Sequence, residues 1–277
     1  MGGLLQLARP LNCAMSAVGV AIGGTVAVGR EVWGPSGWPL VLAGLAAASF
    51  TAGGNALNDL YDVATDRVNH PERPLPSGRL SVTAARAFAV AAFSASAVLA
   101  SFVRWECLAV VLVNASVMAS YEIRFKARGA SGNLIIAYLV GSLFLFGGFS
   151  VYQGRGEPLV RAGVLAALAF LTTVGREITK DIEDMAGDVD RETLPRRIGA
   201  RRAGLLAMSA FTAGVVLSVL PWSFQLLGPV YALVVIVADG MFIYAALYSA
   251  ARPARSQRVA KYAMIVALVA FLAGGFP

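Results

Sequence analysis

The chain has 277 residues, of which 57% are hydrophobic and 14% are charged, and its mean hydropathy is +0.68. This composition excludes an ordinary soluble domain and indicates a protein embedded in a membrane. The formal net charge of +7 is explained by basic residues that set topology beside anionic lipid head groups, so nucleic-acid binding is not expected.

Nine apolar runs of membrane-spanning length follow one another along the chain and predict an all-α, multi-pass membrane protein. No hydrophilic stretch is long enough for a separate soluble domain, so residues 1–277 are expected to form one intramembrane domain. The predicted spans are Leu11–Val28, Trp38–Leu57, Thr83–Val103, Cys107–Tyr121, Gly132–Tyr152, Leu159–Ile178, Ala203–Leu220, Leu227–Ala250 and Val259–Gly275.

The placement of Lys and Arg residues supports this number of spans. Nineteen of the 23 fall at the N-terminus or after the second, fourth, sixth and eighth runs. The other four are Arg30, Arg104, Arg155 and Arg161. Because basic loops stay in the cytoplasm, we expect a multi-pass protein of the cell membrane whose N-terminus and basic loops are cytoplasmic.

An acidic segment follows the second run, with carboxylates at Asp59, Asp62 and Asp66. On a helix, positions i, i+3 and i+7 share a face, so these carboxylates are expected to lie side by side. Like charges at that separation repel, and their desolvation near a bilayer is costly, so a bound cation is expected. Together with Asn58 they offer the hard oxygen ligands that suit Mg²⁺.

The same spacing recurs 122 positions later at Asp181, Asp184 and Asp188. A solvated helix end could explain one such segment, but its repetition favours two groups of divalent ions that hold a polyanion between them. Lys180 beside this second segment either contacts that ligand or pairs with Asp184 as ordinary surface charge.

The chain also shows signs of an internal duplication. Each acidic segment follows an even-numbered run and precedes a basic loop that contains proline. This pattern predicts a four-helix unit used twice in the same orientation, with a ninth helix added. A central cavity between the two halves is where the acidic faces are expected to meet.

Three further places contain candidate polar residues. Arg124 and Lys126 follow the fourth run and could donate charge-assisted hydrogen bonds to a diphosphate, whereas Arg128 in the same loop could equally be a positive-inside anchor. Asn133 either faces the cavity or caps the fifth helix. Asp239, in the middle of the eighth run, is a functional candidate or a hydrogen-bonded packing residue.

This constellation suits a lipid that carries a diphosphate. Metal ions would neutralise the charge on the leaving diphosphate. An apolar cavity would hold the isoprenoid tail and keep water from a carbocation-like centre. A second substrate would supply the nucleophile, and no protein nucleophile is evident.

The string Asn58-Asp59-Leu-Tyr-Asp62-Val-Ala-Thr-Asp66-Arg67, followed by Arg73-Pro-Leu-Pro-Ser-Gly78, resembles the first signature of the UbiA superfamily of intramembrane prenyltransferases. Asp184-x-x-x-Asp188 is similar to its second signature, and Tyr121 with Lys126 resembles its tyrosine–lysine motif. The resemblance implies a nine-helix bundle, Mg²⁺ as cofactor and an isoprenyl diphosphate donor. Carried over by position, the resemblance gives Asn58, Asp62, Asp66, Asp181, Asp184 and Asp188 as metal-site candidates, and it places Arg67, Tyr121 and Lys126 beside the diphosphate. The acidic spacing adds Asp59 to the metal set, and the expected catalytic carboxylates are Asp62, Asp66, Asp184 and Asp188.

Within the superfamily, this sequence is most similar to one branch. Two segments carry that similarity: Asn69-His-Pro-Glu-Arg-Pro-Leu-Pro-Ser-Gly78 and Gly175-Arg-Glu-Ile-Thr-Lys-Asp-Ile-Glu-Asp184. The branch contains the archaeal digeranylgeranylglyceryl phosphate synthases, and the resemblance implies transfer of a geranylgeranyl group to geranylgeranylglyceryl phosphate. Candidate cations for the phosphate of that lipid acceptor are Arg73, Arg124, Lys126 and Lys180.

Two alternatives stay open from the sequence. An aromatic acceptor such as 4-hydroxybenzoate is the runner-up, since it would use the same donor site. A cation-coupled transporter is the third possibility, because repeats and intramembrane carboxylates also occur in transporters. Against it, the acidic segments lie at helix ends beside basic loops, whereas transporter ion sites lie near the midplane.

Overall fold

The structure is a computed structural model that describes residues 2–29, 34, 37–126, 128–154, 156–185 and 192–275. Its regular structure is helical throughout those residues, as the composition predicts. The helices are α1 (Gly2–Ala8), α2 (Pro10–Val28), α3 (Gly37–Tyr61), α4 (Val63–Asn69), α5 (Val82–Val103), α6 (Trp105–Ser120), α7 (Ala130–Ser150), α8 (Glu157–Asp184), α9 (Leu194–Ile198), α10 (Ala200–Leu217), α11 (Leu220–Ser223), α12 (Pro229–Tyr248) and α13 (Pro253–Gly275). A π-helical turn, Tyr121–Phe125, continues α6.

Within the part of the chain that the structure describes, nine helical segments are long and apolar enough to cross a membrane. They are α2, α3, α5, α6 with its π-helical turn, α7, α8, α10 with α11, α12 and α13. The nine predicted spans are therefore confirmed. The short helices α1, α4 and α9 adjoin the ends of α2, α3 and α10 that lie on the side of the acidic segments.

The two spans that lead into the acidic segments extend further than their apolar runs. Helix α3 continues to Tyr61 and α8 continues to Asp184, so Asp59 and Asp181 are part of the spanning helices. Hydropathy falls at the first carboxylate, but the backbone hydrogen bonds that define the helix continue beyond it. The acidic side chains are thus held on rigid elements.

The packing follows the predicted duplication. In the first half α2 packs on α3, α3 on α5, and α5 on α6; in the second half α7 packs on α8, α8 on α10, and α10 on α12. Helix α13 is the added ninth span, and it packs mainly on α12 and α8. The halves are joined where α2 meets α7.

Glycine makes that junction possible. A Cβ atom added at Gly147 would collide with the carbonyl oxygen of Val20, and one added at Gly23 would collide with the carbonyl oxygen of Phe144. Small residues at such positions let two membrane helices approach until their backbones touch. The relative position of the two halves therefore depends on these glycines.

A cavity of about 320 Å³ lies between the halves. Residues from α2, α3, α7, α8, α10, α12 and α13 line it, so both halves and the ninth span contribute. Most of the lining is apolar, with Gly19, Leu168 and Phe271 as examples. A central cavity is therefore present as predicted, but none of the described carboxylates of the two acidic segments is among its lining residues.

Gly147→Ala should destabilise the fold by about 1–3 kcal/mol, because the new methyl group forces α2 and α7 apart. The measurement is the thermal unfolding midpoint in detergent. Gly240→Ala is the matched control, since a Cβ at that helical position meets no atom within 4 Å. Equal midpoints for the two variants would contradict the close contact between α2 and α7.

Candidate active site

The first acidic segment runs through a bend between α3 and α4. Asp62 sits at the bend, yet its N–H donates to the Asn58 carbonyl at 3.0 Å, and the Asp66 N–H donates to the Asp62 carbonyl at 2.8 Å. The chain therefore keeps a helical path through the segment. Its carboxylates nevertheless have different partners, which divide them into two groups.

Asp59 and Asp66 are gathered around one arginine. Arg73 Nη1 lies 2.7 Å from Asp66 Oδ2 and 3.9 Å from Asp59 Oδ1, and Arg9 forms a further ion pair with Asp59. Both carboxylates are buried, each with 4% exposure. Charges in such surroundings require close counter-ions. From the sequence Arg9 is expected only to set topology, although its place directly before a membrane span was a signal for this contact.

Asp62 belongs to a second group, built around Lys126. Lys126 Nζ lies 2.7 Å from Asp62 Oδ2 and 2.9 Å from Glu122 Oε2, and the Glu122 side chain is fully buried. Asn58 Nδ2 donates to Glu122 Oε1 at 2.9 Å. Because a carboxylate only accepts, this contact directs the Asn58 Oδ1 away from Glu122, where it can serve as a ligand.

Glu122 was missed by the sequence analysis. It lies in the π-helical turn, a distortion that is common at functional sites. The signal for it was an acidic residue at the end of an apolar run, where a charge persists only with a partner. Its partners Asn58 and Lys126 orient the first acidic segment toward this turn.

In the second segment Asp181 is held from α7. Asn133, which is buried near the start of α7, donates its Nδ2 to Asp181 Oδ2 at 2.8 Å. Gly129 is the N-cap of α7, so Asn133 serves the acidic segment and not the helix end. Asp184 is the exposed last residue of α8, and Asp188 lies outside the described residues.

The π-helical turn lies between the two acidic segments. A Cβ atom at Gly132 would be 3.6 Å from the Tyr121 ring, and Gly132 is next to Asn133, the partner of Asp181. On its other side the turn reaches Asp62 through Lys126. Both segments therefore border one polar region, called here the acidic mouth: Asn58, Asp59, Asp62, Asp66, Arg73, Tyr121, Glu122, Lys126, Asn133, Asp181 and Asp184.

The remaining predicted substrate residues lie at the surface. Arg67, Arg124 and Lys180 are exposed. Arg67 is on α4, Arg124 is in the π-helical turn, and Lys180 is one position before Asp181 on α8. Each thus adjoins the acidic mouth in sequence without being buried in it.

The donor chemistry of the acidic mouth fits Mg²⁺. Its side chains offer carboxylate and amide oxygens, the hard ligands that this ion prefers. No group of three His, Cys, Asp or Glu side chains among the described residues forms a ready-made cage. Mg²⁺ does not require one, since it usually takes one or two carboxylates and completes its shell with water and substrate phosphate.

The cavity lies along the same two helices as the acidic segments, further into the spans than the acidic mouth. Thr51 of α3 and Thr172 of α8 line it, eight and nine residues before Asp59 and Asp181. At the helical rise, these separations are about 12 and 14 Å. The cavity is therefore placed to receive an apolar chain whose polar head lies in the acidic mouth.

Asp239 lies in the wall of this cavity. Ser218 Oγ donates to its Oδ2 at 2.8 Å, and the Tyr231 hydroxyl donates to the Ser218 carbonyl at 2.6 Å. The intramembrane carboxyl is thus tied to α10 through a hydrogen-bonded chain.

Residues 16–273 match the UbiA prenyltransferase family. The chain belongs to this family. It is 38% identical to the digeranylgeranylglyceryl phosphate synthase of Methanopyrus kandleri, over 99% of each chain. The resemblance to the UbiA superfamily is therefore confirmed, and the protein is a UbiA prenyltransferase with a multi-pass membrane fold.

Solved structures agree with this UbiA fold. One described as digeranylgeranylglyceryl phosphate synthase in membranes aligns with a TM-score of 0.86 and 30% identity, over 99% of this chain and 98% of the other. A UbiA homologue from Archaeoglobus fulgidus, solved with GPP and Mg²⁺ bound, aligns with a TM-score of 0.66 and 20% identity, over 99% of this chain and 98% of that one.

Glu122→Gln should lower prenyl transfer by roughly 10–100-fold, the usual cost of losing a group that orients metal ligands or their partners. The change keeps the side-chain shape but removes the negative charge that pairs with Lys126 and accepts the hydrogen bond from Asn58. Diphosphate release is the measurement. Glu106→Gln is the matched control, since Glu106 pairs with Arg104 at the opposite end of α6. Equal activity in both variants would contradict a role for Glu122 in the reaction.

Proposed function

We propose that this UbiA prenyltransferase transfers a geranylgeranyl group from its diphosphate to the hydroxyl of geranylgeranylglyceryl phosphate, with release of diphosphate. The observation that carries the donor half is the acidic mouth at the head of an apolar cavity. The acceptor half is supported by chain-long identity of 38% to proteins named digeranylgeranylglyceryl phosphate synthase.

The acidic mouth would hold the diphosphate together with Mg²⁺. Asn58, Asp62, Asp66, Asp181 and Asp184 are the side chains that we propose as ligands, and Mg²⁺ bound there would neutralise charge on the leaving diphosphate. A UbiA homologue solved with GPP and Mg²⁺ supports the pairing of this ligand type with this ion. Asp188, the remaining acidic residue of the second signature, stays a predicted ligand.

Besides pairing with carboxylates, Lys126 and Arg73 would also bind the diphosphate. Each already lies within 2.7 Å of a mouth carboxylate. A diphosphate oxygen bound at those carboxylates would come within reach of the same cations, as a charge-assisted acceptor. The two side chains would then stabilise the charge that develops as the allylic C–O bond breaks.

The apolar cavity performs the other part of the reaction. Leu143, Phe144, Leu168 and Phe271 surround the space that the isoprenoid tail would fill. With that space filled by lipid, water is excluded from the allylic carbon. The acceptor oxygen then forms the new ether bond at that carbon while the C–O bond to the diphosphate breaks, and the hydroxyl proton is released with the diphosphate.

The product identifies the acceptor. Purified protein receives geranylgeranyl diphosphate and Mg²⁺ with either geranylgeranylglyceryl phosphate or 4-hydroxybenzoate, and the product masses are measured. We expect the diether phosphate. Faster prenylation of 4-hydroxybenzoate would replace the proposed acceptor by an aromatic one.

Asp62→Ala and Asp184→Ala should each abolish turnover, since each removes a carboxylate that we assign to the metal site. Losses of at least about 10²-fold are expected, because a metal ion contributes several kcal/mol to the transition state. Diphosphate release is measured at matched expression and matched unfolding midpoint. Near-normal rates in either variant would falsify the metal assignment.

We further propose that the acidic mouth faces the cytoplasm, because 19 of the 23 basic residues sort to that side. Ser77 and Ser223 are exposed and lie on opposite sides of this topology. Single cysteines at those positions, introduced after Cys13→Ser and Cys107→Ser, should be labelled from opposite sides of intact membranes. Labelling of both from one side would contradict the arrangement.

A further inference from the structure

Arg176 is a cation within the spanning helix α8. Its Nη1 lies 2.6 Å from Glu177 Oε1, and its side chain is only 26% exposed. Its Nε is buried and has no hydrogen-bond partner among the described residues. A buried N–H of a charged group without a partner is costly, so this geometry indicates a site that a ligand completes.

The helical period places Arg176 between the cavity and the acidic mouth. The level of α8 between Thr172, which lines the cavity, and Asp181 is called here the neck. Ala169 and Thr172 line the cavity, and Arg176 follows them by seven and four residues, on the same face of α8. It lies about 6 Å beyond Thr172 along the helix and about 8 Å before Asp181. A neighbouring face of α8 is used for packing, since Gly175 lies against Phe211 of α10.

The proposed acceptor carries a phosphate, which needs a cation at the neck. In geranylgeranylglyceryl phosphate the phosphate and the free hydroxyl are on neighbouring carbons. That hydroxyl must reach the allylic carbon of the donor, which lies where the diphosphate meets the apolar tail. The acceptor phosphate must therefore lie at the neck as well.

The cations of the acidic mouth are already engaged by its carboxylates. Arg73 contacts Asp66 and Lys126 contacts Asp62, which places both beside the donor diphosphate. Arg176 is closer to the cavity than either acidic segment, and a guanidinium presents paired N–H groups that match two phosphate oxygens.

We propose that Arg176 binds the phosphate of the lipid acceptor and thereby selects a phosphorylated acceptor. This inference rests on the proposed function and names a residue for its acceptor half. Lys180 lies four residues further along α8, on the same face and one turn nearer the acidic mouth. It places a second positive charge on the path of the acceptor head group.

The test is equilibrium binding without donor or Mg²⁺, in detergent that contains EDTA. The probes are geranylgeranylglyceryl phosphate and geranylgeranylglycerol, which lacks the phosphate. Arg176→Gln should weaken binding of the phosphorylated probe at least tenfold and leave binding of the alcohol unchanged. Separately, the Kd of geranylgeranyl diphosphate with Mg²⁺ should stay within twofold of the unsubstituted protein.

Glu177→Gln is the matched control, because it breaks the same ion pair and keeps the cation. It should bind the phosphorylated probe at least as tightly as the unsubstituted protein. Equal losses in Arg176→Gln and Glu177→Gln would mean that the pair is only structural. Undiminished binding by Arg176→Gln, or equal weakening of both probes, would also overturn the inference.

Two further outcomes separate this inference from the proposed function. If the unsubstituted protein binds the alcohol as tightly as the phosphate, the proposed acceptor is wrong and the inference fails with it. If it prefers the phosphate and Arg176→Gln keeps that preference, only the role of Arg176 is wrong. Should Arg176→Gln fail to fold, Arg176→Lys decides: weaker binding of the phosphorylated probe alone supports a guanidinium site, and unchanged binding contradicts it.

Discussion

Buried carboxylates at the end of α3 and the start of α4 require close counter-ions, and this constraint shapes the rest of the site. Removing a carboxylate from water costs several kcal/mol unless a counter-ion and hydrogen bonds replace the solvent. In this protein the counter-ions come from segments that are distant in the sequence. Arg9 comes from before α2, Arg73 from the loop after α4, and Lys126 from the turn after α6.

The same pairs explain why a diphosphate fits this site. Cations that neutralise the carboxylates in the free protein are already where an anionic ligand would need them. Under the proposed function, the carboxylates then serve Mg²⁺ while Arg73 and Lys126 serve phosphate oxygens, so charge stays balanced in both states. The buried Glu122 keeps Lys126 and Asn58 in place through that exchange.

Much of this architecture could be predicted from the sequence. Span length and the sorting of Lys and Arg identify the nine spans because both depend on local composition. The Asp-rich segments were found because their spacing repeats, and Asn58 was found because its amide directly precedes the first of them. Glu122 and Arg9 were not found, since their roles rest on contacts between residues that are 64 and 50 positions from their partners. Arg176 was not found because the positive-inside rule explains it, like the other basic residues, as a topology determinant.

The central claim is that the two acidic segments hold one diphosphate between them, and a double-mutant cycle tests it most directly. The Mg²⁺-dependent Kd of geranylgeranyl diphosphate is measured for Asp62→Ala, Asp184→Ala and the double variant. If both segments contact one ligand, the two losses are coupled, by at least about 0.5 kcal/mol. Losses that simply add would show two independent sites and contradict the account.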